Sequence, residues 1–174
     1  MKNLNTYIHE KLTIVHKSYS CAPESKEELK EILKERLKQD PNADLNDIDV
    51  SNITNMSFLF DELDPHTIDI SQWDVSNVMD MKFMFYNCKN FNSDLSMWDV
   101  SNVENMEDMF YFCKNFNSDL NNWDVSNVKY MEGMFYYCEA FNSNLDMWNV
   151  SNVRDMQDTF KGCDSMKELP KWFH

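Results

Sequence analysis

Apolar residues recur on a fixed 25-residue grid over most of this chain. Trp73, Trp98, Trp123 and Trp148 share one column, inside WDVSNV at 73–78, 98–103 and 123–128 and WNVSNV at 148–153. Met81, Phe85 and Cys88 follow, repeated as Met106, Phe110 and Cys113, as Met131, Phe135 and Cys138, and as Met156, Phe160 and Cys163. A fainter copy precedes them, with Ile48, Val50, Ser51, Asn52, Ile53, Met56 and Phe60 in the matching places. Five copies without insertion fill about 46–170. A fixed period of this size predicts stacked units, each burying its apolar face on its neighbours.

Within one unit the period changes. Trp73 and Val75 alternate with polar residues, as a short strand does. Val78, Met81, Met84, Phe85 and Cys88 then fall at helical spacing on one face. Ser76 can cap that helix, and Ser101 with Glu104 forms a capping box in the next copy. Phe91 and Leu95 anchor an extended return. The predicted fold is an α/β solenoid of five 25-residue strand–helix units. Helical crossovers between parallel strands make its coil right-handed.

The ends read as caps. Ser25 with Glu28 is a second capping box, and Leu29, Ile32, Leu33 and Leu37 continue it at helical spacing. This predicts an amphipathic helix over about 26–39, ended by Asp40, Pro41 and Asn42. A solenoid end needs such a lid, apolar on one side and polar on the other. Tyr7–Ile8 and Leu12–Val15 suggest short extended pieces. The division is a capping region over 1–45, the solenoid over 46–170 and a C-terminal cap over 171–174, all one folded unit. The terminal copies are degenerate: Ile48 stands in the tryptophan column, and Thr159 and Met166 replace Met and Phe in the last copy.

The consensus WDVSNVxxMxxMFxxCxxFNxxL resembles the 25–26-residue repeat of bacterial surface proteins often called BspA-like, which are grouped loosely with leucine-rich repeats. The resemblance covers about 46–170, and the opening helix with DLNDIDVSNI looks like the leader of such arrays. It implies a leucine-rich-repeat-like solenoid and a role in adhesion or protein binding. It carries no catalytic residues. It also leaves surface display or secretion open as an alternative location.

Charge changes the picture of partners. The net charge is −14, and its distribution is uneven. Residues 1–45 hold eight basic and eight acidic side chains; residues 46–174 hold eight basic and twenty-two acidic ones. An acidic array repels nucleic acid and anionic lipid and favours a basic protein partner. An acidic mimic of nucleic acid, occupying the site of a basic protein, is the alternative. No run of eighteen apolar residues predicts membrane insertion. The first seventeen residues lack the apolar core of a secretory signal, which points to the cytoplasm.

Chemistry is sparse. His9, His16, His66 and His174 lie outside the repeat core and form no spaced pair with cysteine or carboxylate. No phosphate-binding glycine loop is present. The expectation is a non-enzymatic chain with no cofactor and no metal. Cys88, Cys113, Cys138 and Cys163 form a column. Packed helices stand about 8–10 Å apart, beyond disulfide reach, so the column reads as buried thiols. Asn52, Asn77, Asn102, Asn127 and Asn152 read as a structural asparagine ladder.

Two surfaces are candidates for a partner. On a helical projection Phe83 and Tyr86 point away from the core stripe. Tyr111 and Tyr136 repeat Tyr86 in the next copies, and Phe112 and Tyr137 flank them. Exposed aromatics rimmed by charge are enriched at interfaces. The alternative is lateral packing, which moves the partner to the acidic face at Asp74, Asp99 and Asp124.

Overall fold

The computed structural model describes residues 18–63 and 65–173. The extended pieces expected at 7–8 and 12–15 lie outside them. Helix α1 spans Lys26–Gln39, as the capping box predicts. Ser25 Oγ accepts the Glu28 N–H at 3.2 Å, and the Glu28 carboxylate accepts the Glu24 N–H at 2.9 Å. Leu29, Leu33 and Leu37 are buried beneath it, while Ile32 is only partly covered. Arg36 clamps Asp47 with two bonds of 3.1 and 3.0 Å, tying the helix to the chain that follows.

The repeats stack, but not as strand and helix. Trp73–Val75 forms no strand, and residues 77–88 form no helix. Isolated parallel bridges instead link Asn55, Asp80, Asn105, Tyr130 and Asp155, one residue per coil. Between neighbouring coils the backbone partners alternate. The N–H groups of Met81, Phe83, Phe85 and Asn87 donate to the carbonyls of Asn105, Glu107, Met109 and Tyr111 in the next coil. Those of Met84, Tyr86 and Cys88 donate back to Met81, Phe83 and Phe85 of their own coil. An α-helix needs every N–H for its own i−4 carbonyl. Here half of them are committed to the neighbour.

Backbone hand explains why the helical spacing misleads. Phe58, Phe83, Asp108, Gly133 and Asp158 all have φ between 52 and 58°. Glu62, Asn87, Phe112, Tyr137 and Gly162 form a second positive-φ column, four residues on. A left-handed residue breaks a right-handed helix and costs a non-glycine residue about 1 kcal/mol or more. Cross-coil bonding offsets that cost. Each unit is thus a series of tight turns, and the helical crossovers expected between strands do not form.

The other side of each coil is joined by side chains. Ser118 Oγ accepts the Leu95 N–H at 2.9 Å and Ser143 Oγ accepts that of Leu120 at 3.0 Å. Asn92 and Asn117 accept the N–H groups of Asn117 and Asn142. The indoles of Trp73, Trp98, Trp123 and Trp148 each donate to a carbonyl one coil back, at 2.9–3.0 Å. The FNS and Trp motifs therefore supply the cross-coil bonds that backbone supplies elsewhere. Inside, Phe60, Phe85, Phe110, Phe135 and Phe160 stack with centroids 4.9–5.7 Å apart. Among the described residues the result is a compact, largely irregular fold with one helix and continuous buried stacks of aromatic and cysteine side chains.

Each end of the described stack carries contacts that the sequence does not display. The Ser57 carbonyl occupies the place that accepts an N–H from a preceding coil elsewhere. Lys26 Nζ donates to it at 3.2 Å, and Lys30 Nζ donates to the Phe58 carbonyl. Ammonium groups from α1 thus replace a missing coil. At the far end Trp172 continues the tryptophan column, 6.2 Å from Trp148, and its indole donates to Leu145.

Candidate functional site

The aromatic surface comes from the turns around the positive-φ columns. Their reversal of backbone hand, rather than a helical face, turns Tyr86 outward. Tyr86, Tyr111 and Tyr136 stack face to face, with centroids 5.0 and 4.6 Å apart. Phe112 and Tyr137 form a parallel stack at 4.9 Å, edge-on or tilted against the first. Phe83 meets Tyr86 edge to face and stacks on Phe58 at 4.7 Å. All six residues singled out in the sequence therefore join one surface. Tyr86 and Tyr137 are 37% and 38% exposed; Phe83, Tyr111, Phe112 and Tyr136 are half-buried by one another. Phe58, 43% exposed, belongs to the patch and was missed. Its place 25 residues before Phe83 is the signal that could have found it.

The stack uses up ring faces. Tyr111 is covered on both sides and presents only its edge and hydroxyl. Burial, then its two neighbouring phenols, raises its pKa above the ordinary tyrosine value. In the fifth coil a lysine takes the tyrosine place. Lys161 Nζ sits 5.2 Å from the Tyr136 centroid and 3.5 Å from the Asp158 carboxylate. Lys82 likewise covers Phe83 at 5.0 Å and pairs with Glu107 at 2.8 Å.

Asp108 is the odd member of this surface. It occupies the column of Phe83, and its carboxylate lies over Gly133 and beside Tyr111. Burial first, then Glu107 and Glu132, push it up to about 6, against the pull of Lys82. Sequence reading passed over it because an aspartate among aromatic columns looks like a surface variation.

The alternative acidic face is differently employed. Asp74 Oδ1 accepts both the N–H and the hydroxyl of Ser76, at 3.1 and 2.6 Å, and Asp99 does the same with Ser101. Asp124 accepts the Ser126 N–H at 3.0 Å, and hydrogen bonds from Ser126 hold its pKa below the carboxylate range. These carboxylates close turns. Beside them, the side-chain amides of Asn77, Asn102, Asn127 and Asn152 donate to serine carbonyls one coil back, at 2.7–2.9 Å. A concavity of about 580 Å³ runs along that asparagine row.

The cysteine column is buried and forms no disulfide among the described residues. The reason expected from helix spacing does not apply, since there are no repeat helices. The thiols instead donate to carbonyls: Cys113 to Phe85 and Cys138 to Phe110 at 2.9 Å, Cys163 to Phe135 at 3.0 Å. Burial raises Cys113 and Cys138 well above the ordinary thiol value and pushes Cys163 up to about 12. Among the described residues no group of three His, Cys, Asp or Glu is placed to hold a metal ion, and no helix is long and apolar enough to cross a membrane.

One family model matches residues 27–136 and again 64–172, the family described as "Mycoplasma protein of unknown function, DUF285". The two matches overlap, as repeated units do. No curated protein and no solved structure matches the chain.

Proposed function

Because the chain belongs to this family of unknown function, we propose from its own surface that it is a non-enzymatic protein-binding module. The stacked coils are read as a right-handed, leucine-rich-repeat-like solenoid. The 25-residue period, the parallel pairing and the cross-coil asparagine row support that reading. The partner lies against the aromatic stacks. One observation carries this: the tyrosine column lies outside the continuous buried core yet extends across three coils in one phase, with two-residue aromatic stacks beside it. Large aromatics with exposed edges supply contact area at low entropic cost, and truncating one at an interface costs about 2 kcal/mol of binding. The acidic row is a weaker candidate, because Asp74, Asp99 and Asp124 each commit one carboxylate oxygen to their own turn.

The test is retention by immobilised protein. A chain carrying Tyr111→Ser and Tyr137→Ser, checked for a cooperative melt, should lose the proteins that the unaltered chain retains. A chain with Asp74→Asn, Asp99→Asn and Asp124→Asn should keep them. The reverse outcome moves the site to the acidic row.

A further inference from the structure

The tyrosine stack has two ends, and they differ. At one end Lys161 lies on the outer face of Tyr136, with Asp158 beside its ammonium. At the other end the place of the next tyrosine is taken by Asp61, and Tyr86, stacked on Tyr111 of the following coil, borders a cavity of about 300 Å³ shared with Phe60, Asp61 and Glu62 of the preceding coil. Asp61, Glu62, Asn87 and Lys89 line it with Tyr86. No cation from the described residues lies over the Tyr86 ring. No described residue donates a hydrogen bond to the Asp61 or Glu62 carboxylate, and neither forms an ion pair with one. The chain thus shows, at one end, how its stack is terminated: an ammonium on the ring face with a carboxylate within reach. At the other end it holds the ring face, two carboxylates and an open volume.

We propose that the cavity beside Tyr86 receives a lysine side chain of the protein partner, its ammonium on the ring face and its charge met by Asp61 and Glu62. This rests on the partner-binding reading of the aromatic surface and names the chemistry of its anchor. The quadrupole of an aromatic ring attracts a cation at its face, and the attraction grows as water is excluded. Charge complementarity selects the partner, since the array from 46 onward carries the whole net charge of −14. Lys89 on the rim opposes the incoming charge but is outnumbered by the two carboxylates.

The probe is acetyl-Lys-Lys-Lys-amide, titrated calorimetrically at low salt into the full chain. The expected stoichiometry is one per chain. Tyr86→Leu and the pair Asp61→Asn with Glu62→Gln should each weaken binding at least tenfold. Tyr86→Phe, which keeps the ring face, should recover most of the affinity that Tyr86→Leu loses, and a cooperative melt of each variant checks its folding. Lys161→Ala uncovers the outer face of Tyr136 beside Asp158, so the stoichiometry should rise to two. The ε-acetylated tripeptide should not bind. Unchanged binding by Tyr86→Leu, equal binding of the acetylated peptide, or a stoichiometry of one for Lys161→Ala would each overturn the proposal. If the tripeptide fails throughout while the Tyr111→Ser, Tyr137→Ser chain still loses its partners, the pocket is wrong and the broader reading stands.

Discussion

Cys113 Sγ donates to the carbonyl oxygen of Phe85, one coil back, across 2.9 Å. The same bond recurs at Cys138 and Cys163, so the thiol is a cross-coil donor as well as a small apolar filler. Burial keeps these thiols protonated, and a thiol reacts as its anion. Native protein should therefore expose only Cys21 to a disulfide reagent at pH 8, with four further thiols reacting after denaturation. Fast native labelling of Cys113 or Cys138 would contradict the packing. Cys113→Ala should destabilise by about 1–2 kcal/mol, through a lost bond and a small cavity.

What the sequence revealed here was the grid and what shares a column. The stacking of coils and the burial of the Trp, Phe and Cys columns follow from it, and helix α1 from its capping box; Tyr86 does turn outward, but through the left-handed columns rather than the helical projection. It misled on what happens between Val78 and Cys88, because apolar spacings of three and four suit a run of turns as well as a helix. The distinguishing signal was present but faint. Asp108, Gly133 and Asp158 share one column and Asn87 and Gly162 another, and these residue types tolerate a left-handed backbone. The aromatic members Phe58, Phe83, Phe112 and Tyr137 hid it. The lysine seal at Ser57 was not legible, since it depends on which carbonyl the first coil leaves without a neighbour.

Gly133 tests the left-handed column. Its φ is +58°, and an added Cβ would run into the Asp108 carboxylate. Gly133→Ala should cost about 1–3 kcal/mol in denaturant unfolding. Combining it with Asp108→Ala should recover the steric part and leave the conformational part, a coupling that a double-mutant cycle reads directly. Equal losses in both backgrounds would mean the clash is relieved by movement elsewhere.

Asp108 gives the fold a pH dependence of known sign. Its folded pKa, about 6, lies above the ordinary value of 3.8, so folding favours the neutral acid. Stability is then undiminished below the unfolded value and falls as pH rises toward 6. Asp108→Asn, which mimics the neutral form, should match the unaltered chain near pH 4. Above pH 6 it should be the more stable by about 1 kcal/mol, a figure discounted for partial exposure. A constant difference between pH 4 and 7.5 would refute the assignment.

Lys26 seals the first coil through the Ser57 carbonyl. Lys26→Met keeps much of the stem and removes the donor. It should cost about 1–2 kcal/mol and speed amide exchange at the C-terminal side of α1 less than at Met56 and Leu59. Uniform loss along the chain would indicate that the end is not a separate cooperative element.

Tyr111 and Tyr137 should separate scaffold from contact. Tyr111 is stacked on both sides, so Tyr111→Ala should destabilise by about 1–3 kcal/mol, from two aromatic pairs. Tyr137 is stacked only on Phe112 and is more exposed, so Tyr137→Ala should cost less than about 1 kcal/mol. Thermal melts of the two proteins, compared side by side, decide this.

Four successive intervals in the tryptophan column of this chain, counted from Ile48, are 25 residues, and the last, from Trp148 to Trp172, is 24. That last step closes the stack, with no described coil beyond it to be kept in phase. Within the array, a single inserted or deleted residue would have to be absorbed within one coil, at the cost of the cross-coil bonds made there. Length in such a chain is quantised between its ends: whole units preserve every column, and the departures from 25 fall at the terminal steps, 24 from Trp148 to Trp172 and 27 between the bridged Cys21 and Ile48.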